Sequence, residues 1–279
     1  MRRCLFFSPA IRPMEKIVLN KHLCVRCGQC IASCPSYLFQ RTTHNDCPMV
    51  AEQADEYCIA CHHCIAACPV NAISIDGIDS TKCQDFVKET HPRFEHIAAL
   101  VRTRRSIRHY ADKPLPDRTV EQLLDVVRWV PTAKNALPVK WLVCNSKDKV
   151  HELAGIVIQW LSEQPGGETL KKQWEKGIDP VFRGAPCVVA AYTQSDALWP
   201  AVDTAIAVET LDLCAAAMRL GSCWAGYFIR AAQNEPAINQ FLGLQKDETI
   251  YGGLMLGYAG DETYRKIPYR PELQLRWLC

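Results

Sequence analysis

The sequence predicts an α+β chain built in two parts, and three observations carry that prediction. Eight of the sixteen cysteines fall into two quadruplets between Cys24 and Cys68. A polar stretch from Thr81 to Glu95 then breaks the pattern. Beyond it, helical and strand periodicities alternate to the end of the chain, as expected for helices around a modest sheet.

Residues 1–14 belong to neither pattern. Met14-Glu15-Lys16-Ile17-Val18-Leu19 reads as a natural start, so 1–14 is expected to be a leader and Met14 the initiator. Leu5-Phe6-Phe7 is too short an apolar run for a secretory signal. The two quadruplets are Cys24-x2-Cys27-x2-Cys30-x3-Cys34-Pro35 and Cys58-x2-Cys61-x2-Cys64-x3-Cys68-Pro69. This is the run that holds iron–sulfur clusters in bacterial two-cluster ferredoxins. Three cysteines spaced i, i+3, i+6 wrap three corners of a small cube from one tight loop. The fourth is expected to open a short helix and reach the other cube. Cys24, Cys27, Cys30 and Cys68 are therefore expected on one [4Fe-4S] cluster, and Cys58, Cys61, Cys64 and Cys34 on the other. Pro35 and Pro69 redirect the chain after the crossing cysteines.

Zinc sites prefer pairs of C-x2-C separated by a longer loop, which does not match. A disulfide framework needs an oxidising compartment. Reduced cysteines and oxygen-sensitive clusters point to the cytoplasm of an anaerobe. Ile17 to Leu19 and Ala72 to Ile75 are apolar, β-branched runs that could pair as strands. Residues 15–80 thus form a two-cluster ferredoxin-like domain, an internal pseudo-repeat too small to hold itself together without its clusters. His62 and His63 are expected to be plain polar loop residues. The other eight cysteines show no ligand spacing, and Cys187 and Cys214 are expected to be small buried residues.

Residues 81–95, with Pro92, form the expected linker, and 96–279 the second domain. His96 to Thr103 reads as a helix. Asp117 is expected to cap another, with Val120, Leu123, Leu124, Val127 and Val130 at helical spacing and Pro131 ending it. Trp141 to Cys144 reads as a strand, Val150 to Leu161 as an amphipathic helix, and Val188 to Tyr192 as a buried strand. Ala201 to Leu220 is apolar almost all round, with Gly221 as its stop. Such a helix belongs in a core or a subunit interface. Ile250 to Tyr258 closes the domain as a glycine-rich strand.

A formal charge of +2 and 48% hydrophobic content describe an ordinary globular chain and suggest neither nucleic acid nor a membrane as partner. No phosphate-binding G-x-x-x-x-G-K-[ST] or dinucleotide G-x-G-x-x-G occurs. The cationic cluster Arg104-Arg105-Ser106-Ile107-Arg108 could bind phosphate, since arginine offers forked donors that match phosphate oxygens.

Taken with later motifs, that cluster resembles a known family. Arg104-x-Ser106-x-Arg108-x-Tyr110 is followed by Pro131-Thr132-Ala133-Lys134-Asn135-Ala136-Leu137-Pro138-x2-Trp141. Then come Ala185-Pro186-Cys187-Val188-Val189, Leu220-Gly221-Ser222-Cys223-Trp224-Ala225-Gly226, and Leu256-Gly257-Tyr258 with Arg265-Lys266-Ile267-Pro268. Residues 96–279 so resemble the nitroreductase family of FMN enzymes, and the whole chain resembles fused ferredoxin–nitroreductase proteins. The resemblance implies helices around a central, mostly antiparallel sheet. It implies FMN with its phosphate on Arg104 and Ser106, Arg105 in the same cluster, and Arg108 toward the N1/O2 edge, where a cation stabilises the reduced ring. Pro131, Thr132 and Asn135 would contact the ring or ribityl chain, and the backbone of Ala225 and Gly226 would approach N5. Arg265 or Lys266 would complete the phosphate site. Leu137 departs from the family, which often has glutamine there. A substrate lid is expected within 160–184, where Trp174 serves either the lid or helix packing. Cys223, Trp199 and Trp224 are expected in packing roles, and Asp203 and Glu209 as helix-cap and interface polarity.

The expected function is a flavin-dependent oxidoreductase in which two [4Fe-4S] clusters relay single electrons to FMN for reduction of an organic acceptor such as a nitroaromatic or quinone. No side chain is assigned a catalytic role. A low-potential donor such as ferredoxin or reduced nicotinamide, a small-molecule acceptor and a second copy of the chain are the expected partners. Specialised FMN chemistry (reductive dehalogenation, flavin degradation) and a non-catalytic redox sensor or electron carrier are the alternatives.

Overall fold

The computed structural model describes residues 17–261 and 264–278. The expected leader over 1–14, with Met14, lies outside the described residues. The chain divides into two compact units. One takes the described residues up to His91 together with Pro131–Leu137; the other takes Pro92–Val130 and the described residues from Pro138 onward. The recruitment of Pro131–Leu137 into the first unit is not signalled by composition.

In the first unit β1 (Ile17–Leu19) leads to α1 (Gln29–Ser33), β2 (Phe39–Gln40), β3 (Met49–Val50), α2 (Ala54–Tyr57), α3 (His63–Ala66) and β4 (Ile73–Ile75). β1 and β4 pair antiparallel, Ile17 opposite Ile75 and Leu19 opposite Ile73, as their β-branched composition predicts. β2 and β3 form a second short antiparallel pair. Ile17, Leu38, Phe39, Ile65, Ile73 and Ile75 make a small core with Cys30, Cys58 and Cys64. The repeat is visible in the backbone at a constant offset of 34 residues (24 to 58). Arg26 and Ala60 have φ of 63° and 47°, Gly28 and His62 76° and 57°, and Tyr37 and Asn71 both 55°. Non-glycine residues seldom adopt this region. Its recurrence at matched positions shows that the loop geometry, not residue preference, sets it.

The expectation that the fourth cysteine opens a helix is corrected. Cys34 is the C-terminal cap of α1, and Cys68 follows α3. Each cysteine closes its helix because the next residue is a proline, which disfavours helical backbone just before it.

The stretch expected as linker holds two short 3-10 turns, Ser80–Lys82 and Lys88–Thr90. In the second unit, α4 (Phe94–Thr103) begins two residues before the expected His96. It is followed by α5 (Asp117–Val127), β5 (Lys140–Cys144), α6 (Lys147–Ser162), α7 (Gly167–Glu175), β6 (Cys187–Gln194), α8 (Pro200–Ala217), β7 (Gly221–Trp224), α9 (Gly226–Ala232), α10 (Pro236–Leu242) and β8 (Glu248–Gly257). The sheet is antiparallel throughout, in the order β5-β6-β8-β7. Period-two alternation on β6 decides the layers. Val188 and Ala190 face one core with α6 and α9; Cys187, Val189 and Ala191 face another with α5 and α8. β6 is buried on both faces, so it reads as a continuous apolar run. On β8, a Cβ at Gly252 would meet Val208 Cγ2 at 2.8 Å and Thr204 Cγ2 at 2.9 Å. The glycine lets α8 lie close on the sheet.

Several expectations are corrected here. Asp117 does not cap α5; Pro116 holds that position, and Asp117 accepts a hydrogen bond from Asn145 Nδ2 at 2.6 Å. Gly221 does not stop α8. Arg219, with φ of 58°, ends it, and Gly221 starts β7, where a Cβ would strike Ile107 Cγ2 at 2.8 Å. Trp199 and Trp224 are exposed, not packed in a core. Within 160–184 lies α7, whose Trp174 stacks on His151 at 4.5 Å between ring centroids, so Trp174 serves packing. No described helix is long and apolar enough to cross a membrane.

Candidate functional site

The first unit carries two cysteine-lined cavities. Cys34, Cys58, Cys61 and Cys64 line one, with Pro35 and His62 beside them. Cys24, Cys27, Cys30 and Cys68 line the other. The crossed arrangement follows from the short helices: each carries its fourth cysteine away from its own loop. Burial pushes the Cys64 thiol up to about 12, with Cys58, Cys61 and Cys34 adding like charge. Burial also raises Cys58 and Cys30, each with cysteines of its own set as further causes. Among the described residues, no group of three or more His, Cys, Asp or Glu side chains closes in as a single metal ion would require. Four thiols around a cavity suit a polynuclear cluster, whose corners hold its ligands apart. His62 occupies the left-handed position taken by Gly28 in the first repeat and lines the cavity. Burial raises the thiol of Cys47, which spacing left without a role, and the neighbouring Cys24 raises it further.

The second unit gathers the cationic cluster along the edge of its sheet. Ser106 bridges Ser222 in parallel, and Ile107 N donates to Ser222 O at 2.9 Å, which lays residues 104–108 beside β7. Arg104 Nε lies 2.7 Å from Asp212 Oδ2 on α8, and its Nη2 donates to Ser106 Oγ at 3.4 Å. Ser222 Oγ donates to the other Asp212 oxygen. The chain Ser222–Asp212–Arg104, buried at its first two members, fixes the guanidinium by Nε and, among the described residues, leaves Nη1 uncommitted. Arg105 Nη1 donates to the carbonyls of Arg102 and Arg104 at 3.0 and 2.6 Å, with its guanidinium 6.0 Å from the Tyr264 ring. Arg108 is exposed, with Nη1 on Ser106 O at 3.3 Å. Ala225 is buried and Gly226 opens α9. A Cβ at Gly226 would meet only Trp224, at an ordinary 3.6 Å, so the protein's own packing does not require glycine there. Arg265 and Lys266 are exposed in the segment that follows β8.

Sequence reasoning missed Asp212. Its one signal was a carboxylate on the buried face of an apolar helix, which demands a counter-charge. Asp203 is likewise buried, in the first turn of α8, whereas Glu209 is exposed. Burial raises the Cys223 thiol, although Arg108, Ser106 and Arg104 pull it down. Cys187 is fully buried, its thiol pushed up to about 12, whereas Cys214 is only partly buried.

Pro131, Thr132 and Asn135 are not brought together with these residues in one unit. Their segment folds with the cysteine loops. Lys134, Asn135 and Leu137 have φ of 51°, 53° and 49°. Left-handed backbone costs a bulky residue on the order of 1 kcal/mol or more and persists only where surroundings enforce it. Thr132 Oγ1 accepts from Leu137 N at 3.0 Å. The Asn135 amide, expected to contact a flavin, donates to the carbonyls of Ile59 and Ala60 at 3.2 and 3.1 Å.

Comparison with known proteins agrees with this layout. The Nitroreductase family model matches residues 101–258, and a 4Fe-4S dicluster domain model matches residues 16–69. The chain belongs to the nitroreductase family and carries an N-terminal 4Fe-4S dicluster ferredoxin domain; it is an enzyme of the oxidoreductase class. A putative NADH dehydrogenase/NAD(P)H nitroreductase of Archaeoglobus fulgidus is 23% identical over 168 residues, covering 60% of this chain and 88% of its own. A 4-nitrobenzoate reductase of a Nocardioides species is 22% identical over 205 residues, 60% of this chain and 82% of its own. In fold, the chain is similar to a nitroreductase with bound FMN from Bacteroides fragilis, at a TM-score of 0.59 and 19% identity over 65% of this chain and 98% of that one.

Proposed function

We propose that this protein is an FMN-dependent oxidoreductase with a built-in one-electron relay. In this reading two [4Fe-4S] clusters sit in the first unit and FMN in the second, and the substrate is an organic acceptor such as a nitroaromatic or a quinone. The observation that carries it is the presence, in one chain, of two four-cysteine cavities, a phosphate-competent arginine–serine cluster and an uncrowded glycine at the start of α9. When bound, the clusters supply single-electron transfer, and the flavin joins one-electron to two-electron chemistry.

The chain's own residues have definite tasks. Cys34, Cys58, Cys61 and Cys64 hold one cluster, and Cys24, Cys27, Cys30 and Cys68 the other. Their thiols must lose their protons to do so, against the burial that raises three of them. Arg104 presents its remaining forked donors, and Ser106 its hydroxyl, to the flavin phosphate. Asp212 holds Arg104 in place. Arg105 and whichever of Arg265 and Lys266 completes the site add charge. Arg108 supplies a cation for the ring edge, and the Ala225–Gly226 backbone leaves space for the ring.

A homodimer is part of this reading. α8 buries Thr204, Ala207, Val208, Leu211 and Ala215 and leaves Val202 and Ile206 exposed. The last segment exposes Tyr269, Leu273, Leu275 and Trp277. Apolar surface of that extent suits a partner subunit. Electrons would come from ferredoxin or a reduced nicotinamide, and the reduced cytoplasm is the compartment in which the thiols persist.

The test is anaerobic purification with quantitation of iron, acid-labile sulfide and flavin, then an acceptor screen with reduced ferredoxin or dithionite. About eight irons and one FMN per chain are expected. Zinc in place of iron, or no turnover of any acceptor, overturns the reading.

A further inference from the structure

We propose that Asn135 is a positioning residue for the cluster assigned to Cys34, Cys58, Cys61 and Cys64, and that its side-chain amide raises the reduction potential of that cluster. The proposal rests on the cluster assignment above and departs from the flavin contact that family resemblance implies for this residue.

The path from Asn135 to the cysteine loop runs through a single peptide. Asn135 Nδ2 donates to Ile59 O at 3.2 Å and to Ala60 O at 3.1 Å. The carbonyl of Ile59 belongs to the same peptide as the Ala60 N–H, and that N–H acts on the Cys58 thiol, pulling it down against the burial that raises it. Donation to a carbonyl polarises its peptide and strengthens the N–H on the other side. Hydrogen bonds to the ligand sulfurs and nearby charge are the levers that set cluster potentials. A stronger N–H donor on Cys58 favours the more negative, reduced cluster, so the potential rises.

The internal repeat supplies an independent argument. Ala60 corresponds to Arg26 at the 34-residue offset, and both are left-handed. In the first loop Arg26 N also bonds its cysteine, Cys24 Sγ, at 3.4 Å. There the Arg26 carbonyl is capped from within the repeat, by Arg41 Nη1 at 3.2 Å. The residue at the offset from Arg41 is Ile75, a buried strand residue with no side-chain donor. The second loop therefore lacks an internal cap, and Asn135 provides one from a segment distant in sequence. That segment is held in three left-handed residues while it does so. Strain of this kind persists where the surroundings impose it.

The experiment uses the full-length, cluster- and flavin-loaded protein under anaerobic conditions. Cluster potentials are read by electron paramagnetic resonance during a redox titration, for Asn135→Ala, Asn135→Asp and Arg41→Ala. In Asn135→Ala one of the two potentials should fall, and in Asn135→Asp the same one should fall further, because a negative charge replaces the donor. Arg41→Ala should lower the other potential. Amide hydrogen exchange over residues 58–61 should quicken in both Asn135 variants. Unchanged potentials in both Asn135 variants overturn the proposal, as does weakened FMN binding with both clusters unperturbed, which returns Asn135 to the flavin. If the unaltered protein holds no clusters, the cluster assignment itself fails, a result separable from the others.

Discussion

Replacing Arg104 by alanine, alone and together with Asp212→Asn, separates two functions that the structure gives to one side chain. Arg104 balances a buried carboxylate, and it presents donors toward the proposed phosphate. Breaking a fully buried pair costs about 3–5 kcal/mol. Here the Arg104 side chain is 25% exposed and Asp212 8% exposed, so water replaces part of the loss. The range for hydrogen bonds to charged groups, about 1.5–3 kcal/mol, is the better guide. At about 2 kcal/mol, Arg104→Ala should lower Tm by roughly 4–8 °C for a unit of this size. Asp212→Asn removes the stranded charge but can still accept from Ser222. The double variant should therefore lose less than the sum of the single losses, by about 1.5–3 kcal/mol of coupling. Flavin affinity follows a different rule. It should fall about 10- to 150-fold in Arg104→Ala, and the double variant should not recover it, since the cation is still absent. Urea denaturation of flavin-free protein and fluorescence titration with FMN give the two numbers. Affinity that recovers together with stability would falsify the phosphate role and leave Arg104 purely structural. Additive stability losses would refute the pairing.

Three further outcomes are expected. Cys34→Ala should damage the cluster assigned to Cys58, Cys61 and Cys64 and spare the set nearest it in sequence; the two clusters' magnetic resonance signals decide, and loss at the Cys24–Cys30 loop sinks the crossed arrangement. Val202→Asp with Ile206→Asp should turn a dimer into a monomer by light scattering, and a monomeric unaltered protein with flavin bound removes the dimer. Cys58→Ala with Cys61→Ala should keep FMN and dithionite-driven turnover yet lose turnover driven by reduced ferredoxin, whereas full ferredoxin-driven activity in that variant means the clusters serve another purpose.

The legible parts of this chain are those where one physical demand acts on neighbouring residues. Cluster loops need cysteines at fixed spacing, so the eight positions could be read directly, and they line two cavities, four to each. β6, buried on both faces, shows as an apolar run. Boundaries were less legible because they depend on distant packing. Gly221 looks like a helix stop, yet its lack of a side chain is explained by Ile107, far away in sequence. Trp224 looks like core by composition but is exposed on the edge strand. Asp212 shows how a polar residue on an apolar helix points to a partner without naming it. The partner is an arginine more than a hundred residues earlier.

Asn135 shows what a motif leaves open. A motif records which residue types recur in order; it does not record which unit a segment joins. In this chain Pro131–Leu137 leaves its sequence neighbours and completes the cysteine unit. The repeat explains why the vacancy existed. A duplicated loop inherits the same left-handed residue and the same outward carbonyl, but β4 places Ile75 where the first copy has Arg41. A buried strand position cannot carry a guanidinium without a large desolvation cost. The donor therefore has to come from elsewhere, and a neutral amide fills the place of a cation. The two loops thus differ in the charge of their caps, and Asp76 adds negative charge near Cys58. Both differences would favour the oxidised state of a cluster on the second loop relative to one on the first. If the clusters are otherwise alike, the one assigned to Cys24, Cys27, Cys30 and Cys68 should have the higher potential of the pair.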